Sequence, residues 1–187
     1  MRKRPFDQGA AFSLPGSALL YDEPMDNAPQ SRIRKLSLSG MDSQESSVSL
    51  FDEQRTALHD LTQGGHFQPA GDSYGPYDLR LSIEENRLVF RLRNVKEEDL
   101  PLLALSLQPY RRLIHDYFLM VQGYEESRRS APPERLEAID MGRRSLHNEG
   151  AELLTERLKG KIDMDFETAR RLFTLICVLH RKFTFMP

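Results

Sequence analysis

From Tyr77 to Arg93 apolar and polar residues alternate with one interruption, and no feature of the chain restricts its fold more tightly. Tyr77, Leu79, Leu81 and Ile83 alternate with Asp78, Arg80, Ser82 and Glu84; Leu88, Phe90 and Leu92 then alternate with Arg87, Val89, Arg91 and Arg93. Period two is a strand pattern, because successive side chains of an extended chain leave opposite faces. Glu85-Asn86 separates the runs. A two-residue connection needs positive φ, which Asn tolerates, so the spacing predicts a tight β-hairpin. Leu103, Leu105 and Leu107 continue as a third strand of an antiparallel meander, whose apolar face has to be covered.

The cover is expected from helices. In the segment from Ser47 to Thr62, residues Val48, Phe51, Arg55, Leu58 and Leu61 fall near one helical face, and Gly64-Gly65 follows where a C-cap belongs. Pro109 opens a second helix, with Tyr110, Leu113, Ile114, Tyr117, Phe118, Val121 and Tyr124 recurring at intervals of three and four. Pro132-Pro133 opens a third, running to about Lys159 with Gly160 as its stop. Asp165 caps a fourth, Phe166 to about His180, whose Leu172 to Leu179 are apolar on nearly every face except Thr174 and so belong at the centre of the core. Ahead of all of these, Arg34, Leu36 and Leu38 alternate with Ile33, Lys35, Ser37 and Ser39 as a short first strand. The expected fold is a single α+β domain over residues 32–187, an antiparallel β-meander covered by three C-terminal helices, with one further helix near the N-terminus.

Residues 1–31 read differently. Four prolines stand in residues 1–30, and the apolar residues there follow neither period, so ordering them would cost backbone entropy for little burial. A disordered N-terminal extension is expected. It imitates a secretory signal faintly, but Asp7, the Pro15-Gly16 break and Tyr21-Asp22-Glu23 spoil the pattern. The longest uninterrupted apolar stretch, Leu175 to Leu179, falls far short of the roughly 20 residues of a membrane span. A single cysteine, Cys177, excludes an internal disulfide and a cysteine-rich zinc site, which suits a reducing, cytoplasmic location. With 26 Lys and Arg against 28 Asp and Glu, the net charge of −2 lacks the excess on which phosphate-backbone binding runs, so nucleic acid is disfavoured as a partner.

Projecting Glu134 to Lys159 at 100° per residue puts Leu136, Ile139, Leu146, Leu153 and Leu154 on one face. Arg143, His147 and Arg157 fall within that stripe, with Asp140 at its edge. A charge withdrawn from water has to be paired. Asp140 precedes Arg143 by three residues and Arg143 precedes His147 by four, so the three are expected to meet along one ridge. In one reading Arg143 ties the helix to a carbonyl or carboxylate and His147 is a satisfied core histidine. In the other Arg143 holds a phosphate or carboxylate, with His147 moving a proton and Asp140 fixing charge. Gly142 and Gly150 share the helix and face the stripe, where each costs about 1 kcal/mol against Ala, so close approach of another backbone, that of the last helix, is their expected use, with close approach of a ligand as the alternative.

Other chemistry finds no support. No catalytic residue, cofactor or metal site is expected: His147-Asn148-Glu149 with Glu152 does not repeat a two-ligand helical ridge, His115-Asp116 faces solvent, and His59, His66 and His180 have no recognisable ligand partners. Cys177 lies among Ile176, Val178 and Leu179, where burial makes a thiol inert. Arg80, Arg87, Arg91 and Arg93 form a charged sheet face with no alternating aromatic residue to stack a base. Of the adjacent pairs Arg111-Arg112, Arg128-Arg129, Arg143-Arg144 and Arg170-Arg171, only Arg143 is expected to point inward.

At Ile139-Asp140-Met141-Gly142-Arg143-Arg144 and Leu146-His147-Asn148-Glu149-Gly150 the chain resembles an uncharacterised alphaproteobacterial protein family, as it does at Tyr110 to Tyr117 and Phe166 to His180. The resemblance runs from about Arg32 to Lys182. It implies a small intracellular protein with no assigned activity, cofactor or catalytic residue, encoded beside histidinol dehydrogenase and a small phosphatase. The expectation is a non-enzymatic binding or regulatory protein with a possible protein partner. The alternative is an enzyme or ligand-binding protein for a small anionic metabolite, acting through Arg143 and His147. Limited proteolysis is expected to remove residues 1–30 and leave a core that still melts cooperatively; a core that collapses on losing them would overturn the domain boundary.

Overall fold

The computed structural model describes residues 30–39 and 48–184. All but the last two residues of the expected extension lie outside the described residues. The elements are β1 (Ile33–Leu38), α1 (Val48–Gln63), β2 (Phe67–Pro69), β3 (Tyr77–Glu84), β4 (Arg87–Arg93), β5 (Leu103–Ser106), α2 (Arg111–Ser127), α3 (Pro133–Leu158), β6 (Ile162–Met164) and α4 (Phe166–Thr184), with a single 3₁₀ turn, Gln108–Tyr110, leading into α2. The protein is an α+β fold in which β3, β4 and β5 form the expected meander.

The hairpin forms as its alternation requires. Glu84 pairs with Arg87, and the two residues between them, Glu85 and Asn86, take φ of 47° and 62°. Positive φ at both central positions is the turn whose twist matches that of its strands. Leu79, Leu81, Leu88, Phe90 and Leu92 are buried together against the helices.

Two features of the sheets differ from the sequence expectation. The four-stranded order is β1-β3-β4-β5, and β1 joins β3 in parallel, so the sheet is mixed rather than wholly antiparallel. The parallel join needs a crossover, which the segment carrying α1 supplies. Within β1 the register shifts between Ile33 and Lys35. That irregularity lets Ile33, 1% exposed, pack into the same core as Leu36 and Leu38, although strict alternation sets them on opposite faces. Separately, β2 and β6 pair antiparallel as a second sheet, Phe67 opposite Met164 and Pro69 opposite Ile162. At three residues each they are too short to show a period.

In α4, every residue from Leu172 to Leu179 is buried. This helix touches α1, α3, α2 and β3, which makes it the hub of the core. Asp165 caps it: Oδ1 accepts from the Thr168 backbone N–H at 2.8 Å, and the other carboxylate oxygen accepts from the backbone N–H of His66. Burial would raise the Asp165 pKa, but these donors hold it below the ordinary range. No described helix is long and apolar enough to cross a membrane.

The two α3 glycines are used differently. A Cβ on Gly150 would lie 2.4 Å from the Phe173 ring of α4, whereas one on Gly142 would meet only the Met120 side chain of α2, at 2.8 Å from its methyl. The close approach at Gly150 is thus to an aromatic ring of the last helix rather than to its backbone. Gly150→Ala is expected to lower stability by about 1–3 kcal/mol through overpacking, outweighing the ~1 kcal/mol gained in helix preference. Gly142→Ala should cost nothing or stabilise, since Met120 can swing aside. Urea denaturation of both variants checks the contrast.

Candidate functional site

The polar residues of α3 meet α1 and α2 at one junction. Asp140 and Arg143, one helical turn apart, pair through Arg143 Nη2 and Asp140 Oδ1 at 2.6 Å. Arg144 binds the second Asp140 oxygen at 2.8 Å. Arg143 Nη1 donates to Glu53 Oε1 on α1, and the Tyr117 hydroxyl of α2 donates to Glu53 Oε2 at 2.5 Å. Three helices are therefore joined through one carboxylate. The side chains of Glu53, Asp140 and Arg143 are 18%, 27% and 33% exposed, so water contributes little to neutralising them.

Burial and charge compete at each group. Burial alone would loosen the Arg143 proton, but Glu53 and Asp140 reverse that and raise its pKa. The guanidinium of Arg143 is the leading influence on Asp140 and holds its carboxyl below the ordinary range. Burial, with the Glu53 charge adding to it, pushes the Tyr117 hydroxyl far above the ordinary tyrosine range. This hydroxyl is a permanent donor.

His147 stands apart from the ion pairs. Its ring stacks on Tyr117 at 5.3 Å between centroids and meets the edge of Phe173 at 6.3 Å. Its Nε2 is buried and without a hydrogen-bond partner. Burial pushes its pKa down to about 4, a lowering that Arg143 and Arg170 reinforce and that Glu53 and Asp140 oppose. Asp140 and Arg143 thus come together as the spacing predicts, whereas His147 joins them through the Tyr117 ring and not by a hydrogen bond.

Several neighbouring residues depart from expectation. Arg157 is exposed, because the buried stripe of α3 narrows to Gly150, Ala151, Leu154 and Leu158 at its C-terminal end. Arg170 is as inward as Arg143: its side chain is 26% exposed and its Nε is buried without a partner. His66, just ahead of β2, hydrogen-bonds Asp163 of β6 through Nε2 at 2.9 Å, a contact with one carboxylate. On α1 the inward face runs through Glu53, Ala57 and Leu61, while Arg55 is exposed.

Glu53 is the residue that sequence reading missed. The signal was present, since Glu53 precedes Ala57 by four residues and Leu61 by eight, which places a carboxylate on an apolar stripe. Chemically the junction is a chain of alternating charge, Arg144, Asp140, Arg143 and Glu53, that ends on the Tyr117 hydroxyl. Among the described residues no group of three His, Cys, Asp or Glu is placed to hold a metal ion. Cys177 is fully buried, and burial raises its thiol well above the ordinary range, so it is not a nucleophile.

The depressed histidine has a pH signature. An unfolded His147 titrates near 6.5 and the folded one near 4, so between those values the unfolded chain binds more protons. Its contribution is complete above about pH 6.5 and is lost as pH falls toward 4, by at most about 3 kcal/mol. His147→Phe, which keeps an aromatic ring between Tyr117 and Phe173, is expected to flatten that slope. Urea denaturation at pH 7.0, about 5.5 and about 4.5 measures it; equal slopes would remove His147 as the cause.

The chain matches the model of the Uncharacterised protein family (UPF0262) over residues 30–182. A UPF0262 protein of Maricaulis maris is 52% identical to it over 153 residues, 81% of this chain and 94% of that protein. One of Xanthobacter autotrophicus is 47% identical over 164 residues, covering 87% and 99%, and one of Brucella anthropi is 52% identical over 129 residues, covering 68% and 81%. No solved structure matches the chain. A match over nearly the whole of β1 to α4, with alphaproteobacterial relatives alike at about half of their aligned positions, means that this chain belongs to the uncharacterised family UPF0262.

Proposed function

We propose that this protein is a small cytoplasmic binding or regulatory module without catalytic activity of its own, and that Asp140, Arg143 and His147 form an internal clamp. One observation carries the reading: the arginine best placed to hold an anion is already neutralised by Glu53 and Asp140 of its own chain. An incoming phosphate or carboxylate would have to displace a buried carboxylate, leaving two like charges facing each other in a poorly solvated space. Nor is His147 suited to act as an acid near neutral pH, since burial holds its pKa down to about 4, and its Nε2 is buried from solvent.

The clamp reading supports a role for the polar junction in stability. Arg143→Met is expected to lower stability by about 1–4 kcal/mol, because it takes the cation from Glu53 and leaves Asp140 with Arg144 alone. Adding Glu53→Gln to that variant should restore part of the loss, which urea denaturation measures. A thermal-shift panel of phosphates, nucleotides and carboxylates is expected to show no stabilisation that depends on Arg143. Stabilisation by one such anion that vanishes in Arg143→Met would overturn the proposal and make the junction a ligand site.

A further inference from the structure

We propose that the solvent face of the four-stranded sheet is a docking surface for an extended acidic segment of a partner protein, held by Lys35 and Arg80 and seated against Leu102. The proposal rests on the non-enzymatic reading for the kind of partner and on a different region of the molecule for its evidence.

Strand register sets the charges. Arg80 on β3 stands directly opposite Arg91 on β4, with Ser37 of β1 on its other side. Like charges directly opposite one another destabilise a sheet. The two guanidinium groups turn apart: Arg91 goes to Glu84, at 2.6 and 3.0 Å, and Arg80 donates to the Ser39 hydroxyl at 2.7 Å. Two nearby carboxylates are taken, Asp78 by Arg34 and Asp99 by Arg93, each at 2.9 Å, while Glu97 acts on Arg34 and Arg93 through its charge alone. Lys35 and Arg80 make no ion pair with any described residue. Of the cations that line the groove on this face, these two are the ones left without an ion pair, although the Arg80 charge does act on Glu84 from a distance.

A groove of about 590 Å³ runs over this face, its charged lining formed by Lys35, Arg80, Arg91 and Arg93 with the paired Asp78 and Asp99, and Leu100 and Leu102 line it as well. Its wall is firmly held. The fully buried Asn94 donates to Asp72 and Glu98 and accepts from the backbone N–H of Lys96 and Glu98, which pins the loop leading to Leu102. Leu102 is nevertheless 58% exposed.

These features select the occupant. The surplus cations select an anionic partner, and the exposed leucine selects one with an apolar side chain beside its charges, which a free inorganic anion lacks. RNA gains little here because the groove lining holds no aromatic residue on which a base stacks. An acidic peptide with interspersed apolar residues matches both demands, with charge steering its approach and the leucine contact adding specificity.

Fluorescence anisotropy of a labelled peptide of alternating glutamate and leucine, titrated with the full chain, tests this. Binding that weakens with salt is expected, and Lys35→Glu combined with Arg80→Glu should weaken it by about tenfold or more. Leu102→Ser in the protein, or alanine for leucine in the peptide, should also weaken it. Arg80→Gln should melt no lower than the parent, because it relieves the cross-strand repulsion, so loss of binding there is not loss of fold. No binding, equal binding by the double variant, equal binding of a lysine-leucine peptide, or tighter binding of oligouridine would each overturn the proposal. None of these outcomes involves Arg143, so failure here is distinct from failure of the clamp reading.

Discussion

A single partly buried carboxylate ties three helices together. Glu53 is the side chain that, among the described residues, both Arg143 of α3 and Tyr117 of α2 bind, and it stands on α1, far from both in sequence. A charge in that position is unfavourable until its partners arrive, so the junction penalises any arrangement in which α1 is displaced from α2 and α3. Apolar packing around α4 supplies the bulk of the favourable burial, but such packing is non-directional. The ion pairs and the tyrosine hydrogen bond add direction to it, through atoms that have to sit at specific places.

The same helix, α1, lies on the crossover that brings β1 beside β3, where it contacts both β1 and α4. Seating α1 through Glu53 thus also supports the parallel edge of the sheet. The irregularity at Ile33 to Lys35 fits this arrangement, because it turns Ile33 into the core while leaving Lys35 on the outer face. Interior and exterior are coupled here. The helix that carries Glu53 also packs against the strand whose outer face carries Lys35.

What the sequence shows clearly is whatever repeats within a few residues. The hairpin, its Glu85-Asn86 turn, the Asp165 cap and the apolar run of α4 depend on neighbours in the chain, and each is found at its expected place. The Asp140–Arg143 pair is likewise local. Long-range partners are a different matter, since nothing in α3 indicates which element answers Arg143, and Glu53 lies 90 residues away. The parallel sense of β1 is equally silent, because alternation specifies a face and not a direction. The pair β2 and β6 is short enough to escape any periodic test.

Two arginine clusters in this protein share composition and differ in what surrounds them, and that difference separates structure from recognition. At the helical junction the acceptors are buried beside the donors, geometry is fixed, and every charge is answered within the chain. On the sheet, ion pairs satisfy Arg34, Arg91 and Arg93 and, among the described residues, leave Lys35, Arg80 and Arg87 without one. Buried charges that lacked partners would unfold the domain, so the interior tolerates no surplus. An exposed surplus costs little in water, and it gains value only when something removes that water. The surface where the chain leaves its cations unanswered is therefore the one suited to an external partner.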